Sequence, residues 1–277
     1  MIMSKYTVFG GRGFIGSTIV EQLKLNGHDV YIPVREDNSI FDEDLGIVIY
    51  CAGQGDCKNS PFGVFDANCS LIAKVLEYCK FQRLIYMSST RVYMNYESSL
   101  ESDNVVISCD DNRRLFNLTK LVSEELCLKS GKDVVIVRPS NVYGVALNSP
   151  LFLPAITRNA ILNKKVDMYI SPNYEKDYVA VDDVANTCIQ IAKNKEITGE
   201  IINIASGYNV SAQEIADELE SNTGCEIVWH NMAFPNENFP ITDITLIKSL
   251  IPNYEPKNVL NDIKLMIKDF SEKLDID

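Results

Sequence analysis

Three regularly spaced glycines are the first residues in the chain with a chemical implication. Gly10, Gly13 and Gly16 form a GxxGxxG pattern between a short apolar run at Lys5–Phe9 and an amphipathic run at Phe14–Asn26. In a strand–loop–helix of this kind, a pyrophosphate can approach main-chain N–H groups and the positive end of the helix. The pattern therefore predicts a dinucleotide site, with a tight turn alone as the alternative. The residues predicted to contact the dinucleotide here are Gly10, Arg12, Gly13, Phe14, Ile15 and Gly16.

Basic residues near this loop bear on which dinucleotide is bound. The second predicted strand, His28–Val34, is followed by Arg35, Glu36 and Asp37, and Arg12 lies inside the glycine loop. An acidic residue at the end of this strand suits the free 2′-hydroxyl of NAD, whereas a basic one accommodates the 2′-phosphate of NADP. We expect NADP or NAD, and the two arginines favour NADP. The alternative is that both arginines are only solvated.

The composition restricts the possible partners. The 277 residues are 46% hydrophobic and carry a formal net charge of −12. Such a charge repels nucleic acid and anionic membranes, so we expect neither as a partner. The sequence has no apolar run of about 18 residues and no signal-peptide pattern. These features predict a cytoplasmic protein.

Cysteine and histidine usage argues against disulfides and metal. The eight cysteines form no CxxC pair and several lie in apolar runs, which is typical of reduced, buried thiols. The two histidines, His28 and His230, are far apart in the sequence, so we predict no zinc site. The chain also lacks GxSxG, GxxxxGK[ST] and HExxH patterns.

The order of apolar runs predicts an α/β fold, a Rossmann-type doubly wound parallel sheet. Short apolar runs alternate with runs of helical periodicity, and almost all residues of the former are apolar, as in strands buried on both faces. The further predicted strands are Gly46–Cys51, Arg83–Met87 and Val134–Arg138, and the predicted helices between them are Val64–Cys79 and Asn112–Ser130. The segment 35–45 is short for such a fold, which suggests that one strand–helix unit is absent.

After about residue 145 the pattern changes, and prolines interrupt it. We predict a dinucleotide-binding domain of residues 1–147 plus about 171–208, where YVAVDDVA and EIINIAS return to the sheet. Residues of about 148–170 and 209–277 are predicted to form a smaller C-terminal substrate-binding lobe. A ligand would bind between the two, at the carboxyl ends of the strands.

Six motifs in order resemble those of the extended short-chain dehydrogenase/reductases, the nucleotide-sugar epimerase, dehydratase and reductase group. The resemblance covers about the first 210 residues. The motifs are GGRGFIG, YCAG at Tyr50–Gly53, a helix asparagine at Asn68, YMSSTRVY at Tyr86–Tyr93, RPSNVYG at Arg138–Gly144 and KDYVAVDD at Lys176–Asp183. The order of the motifs is specific to the family, but it does not identify the substrate.

The resemblance implies roles for individual residues. Ser89 matches the catalytic Ser/Thr, and Lys120 matches the lysine that holds the nicotinamide ribose and lowers the pKa of a catalytic tyrosine. Further cofactor contacts implied by the resemblance are Arg35, Cys51, Ala52, Gly53, Asn68, Lys120, Pro139 and Ser140. The implied substrate contacts are Arg91, Asn141, Tyr143 and Tyr178. Thr90 and Arg91 stand where many dehydratases have acidic residues, which argues against a 4,6-dehydratase.

One position departs from the family pattern. The expected Tyr-x-x-x-Lys is Phe116-Asn117-Leu118-Thr119-Lys120, so Phe116 stands in the position of the catalytic tyrosine. Phenylalanine has no proton to exchange, and loss of such a group costs about a hundred- to ten-thousand-fold in rate. The substitution could be an engineered trap, or a natural variation with another acid/base such as Ser89, Tyr93 or Tyr143. A catalytically inactive protein, or a register shifted along the helix, would also account for it.

Two functional hypotheses follow. The first is an NAD(P)-dependent enzyme acting on a nucleotide sugar, of the epimerase or 4-keto reductase type, with a role in polysaccharide biosynthesis implied by family habit. The second is a catalytically inactive regulator that binds a dinucleotide. Members of the family commonly dimerise through two long helices, here Val64–Cys79 and Asn112–Ser130, so the resemblance implies a homodimer, with a monomer as the alternative.

Overall fold

Six parallel strands form the central sheet. The computed structural model describes residues 3–147, 149, 151–231 and 237–274. Along the chain the strands are β1 Lys5–Phe9, β2 Asp29–Tyr31, β3 Ile47–Tyr50, β4 Arg83–Met87, β5 Val134–Pro139, β6 Asn141–Tyr143, β7 Lys165–Met168, β8 Glu175–Lys176, β9 Tyr178–Ala180, β10 Ile201–Ile204, β11 Val210–Ser211 and β12 Glu226–Trp229. The sheet order is β10-β5-β4-β3-β1-β2, and every neighbouring pair is parallel.

Helices connect these strands and cover both faces of the sheet. They are α1 Phe14–Leu25, α2 Pro61–Phe65, α3 Leu71–Tyr78, α4 Arg114–Lys129, α5 Phe152–Leu162, α6 Val181–Lys193, α7 Ala212–Thr223, α8 Thr245–Leu250 and α9 Val259–Lys273. A π-helical turn, Asp66–Ser70, joins α2 to α3 without a break. Short 3-10 helices lie at Asn38–Phe41 and Thr90–Tyr93. The architecture confirms the predicted Rossmann-type fold.

The sheet ends at β2, where a larger sheet of this type would continue. Between β2 and β3 the chain forms only the 3-10 helix Asn38–Phe41, and no further strand among the described residues pairs with β2. This agrees with the absent strand–helix unit that the short segment 35–45 suggests. The predicted second strand, His28–Val34, is longer than the observed Asp29–Tyr31, because Pro33 cannot donate a ladder hydrogen bond.

Two hydrophobic layers hold the helices on the sheet. On one face, α1 and α6 pack against Tyr6, Val8 and Ile85. On the other face, Ile72 and Val75 of α3 and the α4 residue Cys127 pack against the opposite side chains of the same strands. Because successive strand residues point to opposite faces, an all-apolar strand can bury both sides.

A third cluster forms the smaller lobe. It combines α5, α7 and α9 with the pairs β6–β9 and β7–β12, and Phe270 and Met168 are buried at its centre. The predicted extent of this lobe needs one correction. Ile247 of α8, Ile251 and Tyr254 pack in the core of the central sheet, so part of 209–277 returns to the dinucleotide domain. Asn148, the predicted boundary, lies outside the described residues, and the remaining division stays a proposal.

A buried ion pair joins the strands that carry the predicted site. Arg138 at the end of β5 donates to both carboxylate oxygens of Glu124 on α4, at 3.0 and 2.5 Å. Glu124 also accepts from Ser88, and Arg138 donates at 2.7 Å to the hydroxyl of Tyr93. Tyr93 in turn donates to Asn203 on β10 at 2.9 Å. The network therefore ties β4, α4, β5 and β10 together.

We expect Arg138→Met to destabilise the protein strongly. The substitution leaves the Glu124 carboxylate buried without its cation, which typically costs about 3–5 kcal/mol. Because a matched apolar pair removes that buried charge, Arg138→Met/Glu124→Leu should recover much of the loss. Urea denaturation measures both free energies of unfolding. A loss below about 1 kcal/mol for the single variant would contradict a structural role of the pair.

Candidate active site

The glycine loop has the geometry that a close approach of backbone to a ligand requires. Gly10 has φ +74°, and a Cβ there would lie 2.7 Å from the backbone nitrogen of Ala52. A Cβ on Gly16 would overlap the carbonyl oxygen of Gly10. No side chain caps α1, so the N–H groups of its first turn around Phe14 and Ile15 are available to an anion. The loop therefore fits a pyrophosphate.

The partly buried acid after β2 is already engaged. The chain continues from β2 through exposed Val34 and Arg35 to Asp37. The Asp37 carboxylate accepts from the Tyr31 hydroxyl and, at 3.1 Å, from Ser39 N–H, where it caps the 3-10 helix. Arg12, inside the glycine loop, and Arg35, after β2, are both exposed. This arrangement is compatible with a 2′-phosphate.

The loop after β3 lies against the glycine loop and is held by Asn68. Cys51 and Ala52 are partly buried there, and Gly53 is exposed. The amide nitrogen of buried Asn68 donates to Gln54 O at 3.1 Å and to the Thr119 hydroxyl at 3.0 Å. The amide oxygen of Asn68 accepts from Gln54 N–H. Asn68, set in the π-helical turn, thus holds this loop in place, and its contact with a cofactor stays a prediction.

Ser89 lies where β4 ends and the 3-10 helix begins. Its hydroxyl oxygen accepts from the Arg91 N–H at 3.1 Å, which leaves the hydroxyl proton free to donate. Ser88, the preceding residue, is instead bound to Glu124 and buried. The two serines therefore differ in function, and the side chain of Ser89 is the more accessible one.

Phe116 and Lys120 lie one turn apart on the same face of α4. The Lys120 ammonium is 5.7 Å from the centre of the Phe116 ring and donates to Met87 O at 2.8 Å. Four-residue spacing on a helix brings side chains together in this way. Lys120 thus reaches the strand residue two places before Ser89, which supports the predicted register.

Burial controls the charge of Lys120. The side chain is only 5% exposed, and this burial lowers its pKa to about 8, opposed by nearby groups of which Cys51 is the strongest. Its nitrogen also lies 5.2 Å from the centre of the Tyr86 ring. The pKa of Lys120 therefore lies closer to neutral pH than that of an ordinary lysine.

Four residues predicted to contact the cofactor or the substrate also make contacts within the protein. Ser140 donates to buried Asp177 at 2.5 Å, and Asn141 donates to the Asp177 carbonyl at 2.8 Å. The hydroxyl of buried Tyr143 donates to Asp262 of α9 at 3.0 Å, and Tyr178 is in the core of the smaller lobe. These four residues connect the two parts of the chain. Pro139, the last residue of β5, is also buried.

Tyr93 and Tyr143, the tyrosines considered as alternative acid/base residues, are also buried and hydrogen-bonded within the protein. Tyr93 is buried in the Arg138 network, and burial raises its pKa to about 12. Burial likewise raises the pKa of Tyr143, with Asp262 as the next cause. Both phenols are buried and hydrogen-bonded within the protein, so Ser89 is the most accessible of the three candidates.

Sequence reasoning missed a group of charged residues beside Phe116. Arg91 is buried and donates to Asp111 at 2.8 Å and to Glu237 at 2.9 Å. Arg113 lies over the Phe116 ring, with its guanidinium carbon 4.9 Å from the ring centre. Lys176 lies 3.9 Å from Glu237. No motif marks these residues as a group, since they come from four separate segments.

Two absences hold for the described part of the chain. Within it, no three His, Cys, Asp or Glu side chains form a group that could hold a metal ion. No described helix is long and apolar enough to cross a membrane. His28 lies against Tyr6, and His230 pairs with Asp167 at 2.8 Å.

Comparison with known proteins relates the chain to a family of nucleotide-sugar enzymes. The model of the NAD dependent epimerase/dehydratase family matches residues 6–205. A UDP-N-acetyl-alpha-D-glucosaminuronate decarboxylase of Bacillus cytotoxicus is 25% identical, with 78% of this chain and 79% of that protein covered. A UDP-glucose 4-epimerase of Mycoplasma pneumoniae is 22% identical, with 98% of each covered.

Solved structures share the whole fold. The structure of MoeE5 in complex with UDP-glucose and NAD superposes with a TM-score of 0.86 at 19% identity. The superposition covers 98% of this chain and 99% of MoeE5. At this identity the likeness establishes the architecture of both the sheet and the smaller lobe.

We expect the burial of Lys120 to appear in the pH dependence of stability. Since its folded-state pKa is about 8 and the ordinary lysine value is 10.5, the unfolded chain binds more protons between these values. The cost of burying the charge is therefore full below pH 8 and is relieved as the pH rises. From about pH 7.5 to 9.5, the free energy of unfolding of the wild type should rise by about 2 kcal/mol relative to that of Lys120→Met.

Urea denaturation of both proteins across this pH range measures that difference. Loss of the bond to Met87 lowers the stability of the variant equally at every pH, so it does not affect the slope. Parallel pH profiles for the two proteins would show that Lys120 is not buried as a charge.

Proposed function

Because the chain belongs to the NAD dependent epimerase/dehydratase family, we propose that it is an NAD(P)-dependent enzyme that transfers hydride at a ring carbon of a nucleotide sugar. The reaction is of the epimerase or 4-keto reductase type. The observation that carries the proposal is the contact of the Lys120 ammonium with Met87 O, directly before Ser88 and Ser89. A protein that only bound a dinucleotide would have no need of the hydroxyl of Ser89 next to it.

Each part of the site has a distinct task in this proposal. The glycine loop and the first turn of α1 hold the pyrophosphate, and Lys120 holds hydroxyls of the nicotinamide ribose. The nicotinamide, when bound, supplies or accepts the hydride. The hydroxyl of Ser89 donates a hydrogen bond to the sugar oxygen and polarises it. Phe116 lines the cleft where the family has a tyrosine, so proton exchange is the weakest part of this site.

For the cofactor we propose NADP in preference to NAD. Exposed Arg35 follows Val34 after β2, and the carboxylate of Asp37 is already used by Tyr31 and Ser39. A basic side chain accommodates the 2′-phosphate that a carboxylate would repel. The NAD found in MoeE5 makes NAD the alternative.

For the substrate we propose a UDP-linked sugar. The names of both relatives and the MoeE5 complex include UDP sugars. The smaller lobe, which superposes along its length, is where such a nucleotide would bind. The regulator hypothesis rests on Phe116 alone and predicts that no sugar nucleotide binds.

Restoring the hydroxyl in Phe116→Tyr should raise turnover about 100- to 10,000-fold. The ammonium of Lys120 lowers the pKa of a phenol at this position and makes it an effective acid/base. Proton NMR of UDP-sugars with NAD or NADP, for the wild type and the variant, measures conversion. Phe116→Leu is the matched control and should remain as slow as wild type.

The outcomes separate the hypotheses. Turnover by Phe116→Tyr alone supports an enzyme that lacks one group. Wild-type turnover that is lost in Ser89→Ala supports an enzyme in which Ser89 is a catalytic residue. If neither protein converts or binds any UDP-sugar while the cofactor binds, the regulator hypothesis replaces this proposal.

We also propose that the chain forms a homodimer through α4. Leu118, Val122 and Leu126 form an apolar row along α4 and are 42%, 51% and 40% exposed. The neighbouring helical segment 61–78, which packs beside α4, exposes further large apolar side chains. They are Phe62, Phe65 and Tyr78. A contiguous apolar surface of this kind is typical of a protein interface, and a second copy provides the matching surface.

Negative charge introduced into the apolar row of α4 should prevent dimerisation. We expect Leu118→Glu/Val122→Glu to be a monomer with an unchanged fold, because the substituted positions face solvent in the monomer. Light scattering after gel filtration gives the mass of each protein. Leu265→Glu, which changes an apolar residue of α9 that is 59% exposed, is the control and should stay dimeric. A monomeric wild type at all concentrations would contradict the proposal.

A further inference from the structure

Five charged side chains meet in the cleft next to Phe116, and none of them belongs to the glycine loop. We call them the cleft cluster: Arg91, Asp111, Arg113, Lys176 and Glu237. Arg91 is at its centre, with Asp111 and Glu237 within 2.9 Å of the same guanidinium nitrogen. The cluster joins the start of α4 to the smaller lobe.

Both carboxylates of the cleft cluster pair with Arg91. The oxygens of Asp111 accept from Arg91 and the Arg113 N–H, both at 2.8 Å, and from Asn117 at 3.0 Å. The oxygens of Glu237 accept from Arg91 at 2.9 Å and from Tyr174 at 2.7 Å, and Lys176 lies 3.9 Å away. Neither carboxylate accepts a hydrogen bond from the guanidinium of Arg113 among the described contacts.

The cluster therefore carries excess positive charge. Its three cations face two carboxylates, and the Arg113 guanidinium makes no ion pair within the described residues. The segment 232–236 contains no Asp or Glu in its sequence. The Nε atom of buried Arg91 also has no hydrogen-bond partner in the described structure. An anion would pair with the guanidinium of Arg113, which has no ion-pair partner among the described residues.

Desolvation and the neighbouring charge at Arg113 also favour binding of an anion. The residue as a whole remains accessible to solvent, but desolvation of its guanidinium, and then the nearby charge of Arg91, lower its pKa. Burial also lowers the pKa of Lys176 to about 8, opposed by Glu237. An anion between these side chains would relieve both effects.

The cleft cluster lies close to the place where we propose that the sugar binds. The Arg113 guanidinium lies over the Phe116 ring, and Arg91 follows Ser89 by two residues. A Cβ on Gly55, in the loop after β3, would lie 3.1 Å from an Arg113 nitrogen and 3.8 Å from the Phe116 ring. The absence of a side chain at Gly55 keeps this corner of the cleft open. A sugar bound against Ser89 and Phe116 would have its substituents within reach of these arginines.

We propose that the cleft cluster binds a carboxylate on the sugar ring, so that the substrate is a nucleotide-linked uronate. The planar fork of an arginine matches a carboxylate through two parallel hydrogen bonds, and Arg113 has its guanidinium available for them. This inference rests on the proposed function and specifies its substrate class. The diphosphate of the same ligand is the other possible anion, but contact with Phe116 favours the sugar end.

The test compares UDP-glucuronate with UDP-glucose, which differ only by the carboxylate, and UDP alone. Calorimetry on the cofactor-loaded full chain gives the three dissociation constants. We expect wild type to bind UDP-glucuronate at least about 10-fold more tightly than UDP-glucose, in line with a charge-assisted bidentate pair.

Substitutions of Arg113 and Arg114, at the start of α4, show which residue causes the preference for UDP-glucuronate. Arg113→Met should lose the roughly 10-fold preference and bind UDP-glucose and UDP as wild type does. Arg113→Lys should keep part of the preference, because it retains charge without the fork. Arg114→Met is the matched control. It removes an equal charge from the neighbouring exposed residue and should keep the full preference.

Each result has a distinct meaning. Equal binding of the two sugars by wild type overturns the inference and leaves the proposed function intact. A loss of affinity for UDP, UDP-glucose and UDP-glucuronate alike in Arg113→Met assigns the cluster to the diphosphate and also overturns it. If UDP and both sugars fail to bind wild type, the proposed function itself is wrong.

Discussion

The site depends on the buried contact between Arg138 and Glu124. Arg138 is the residue before the last in β5 and Glu124 lies on α4, so their two hydrogen bonds fix the helix that carries Phe116 and Lys120 against the sheet. The same pair holds Ser88 through Glu124 and Tyr93 through Arg138, one on each side of the strand end at Ser89. A charged pair is costly to bury, and here it gives α4 one position relative to β4.

The residues that we propose to form the site lie around this fixed centre. Lys120 contacts Met87 at the end of β4, Ser89 follows it, and Phe116 lies one turn before Lys120 on α4. Positive charge lies near Phe116, because the Lys120 ammonium and the Arg113 guanidinium carbon are 5.7 and 4.9 Å from the centre of its ring. On this proposal the site is better equipped to bind an anionic ligand than to exchange protons.

For Arg91, the contacts seen in the structure add to the role that the sequence predicts. Its place two residues after Ser89 predicts a substrate contact or a solvated side chain. In the folded chain it is buried between Asp111 and Glu237, which are distant in sequence, and it organises the cleft cluster. Asn68, Ser140 and Tyr143, which are predicted ligand contacts, likewise make hydrogen bonds to residues that are distant in sequence.

The sequence by itself determined the parallel sheet, the glycine loop and the Phe116–Lys120 pair. These are local patterns, since strand burial, glycine spacing and helical periodicity depend on residues within one or two turns. Only the tertiary structure decided the cleft cluster, the return of Ile247 to the sheet and the partners of Asn68 and Tyr143. Each depends on contacts between distant segments, where burial and hydrogen-bond partners are set by packing that no local pattern encodes.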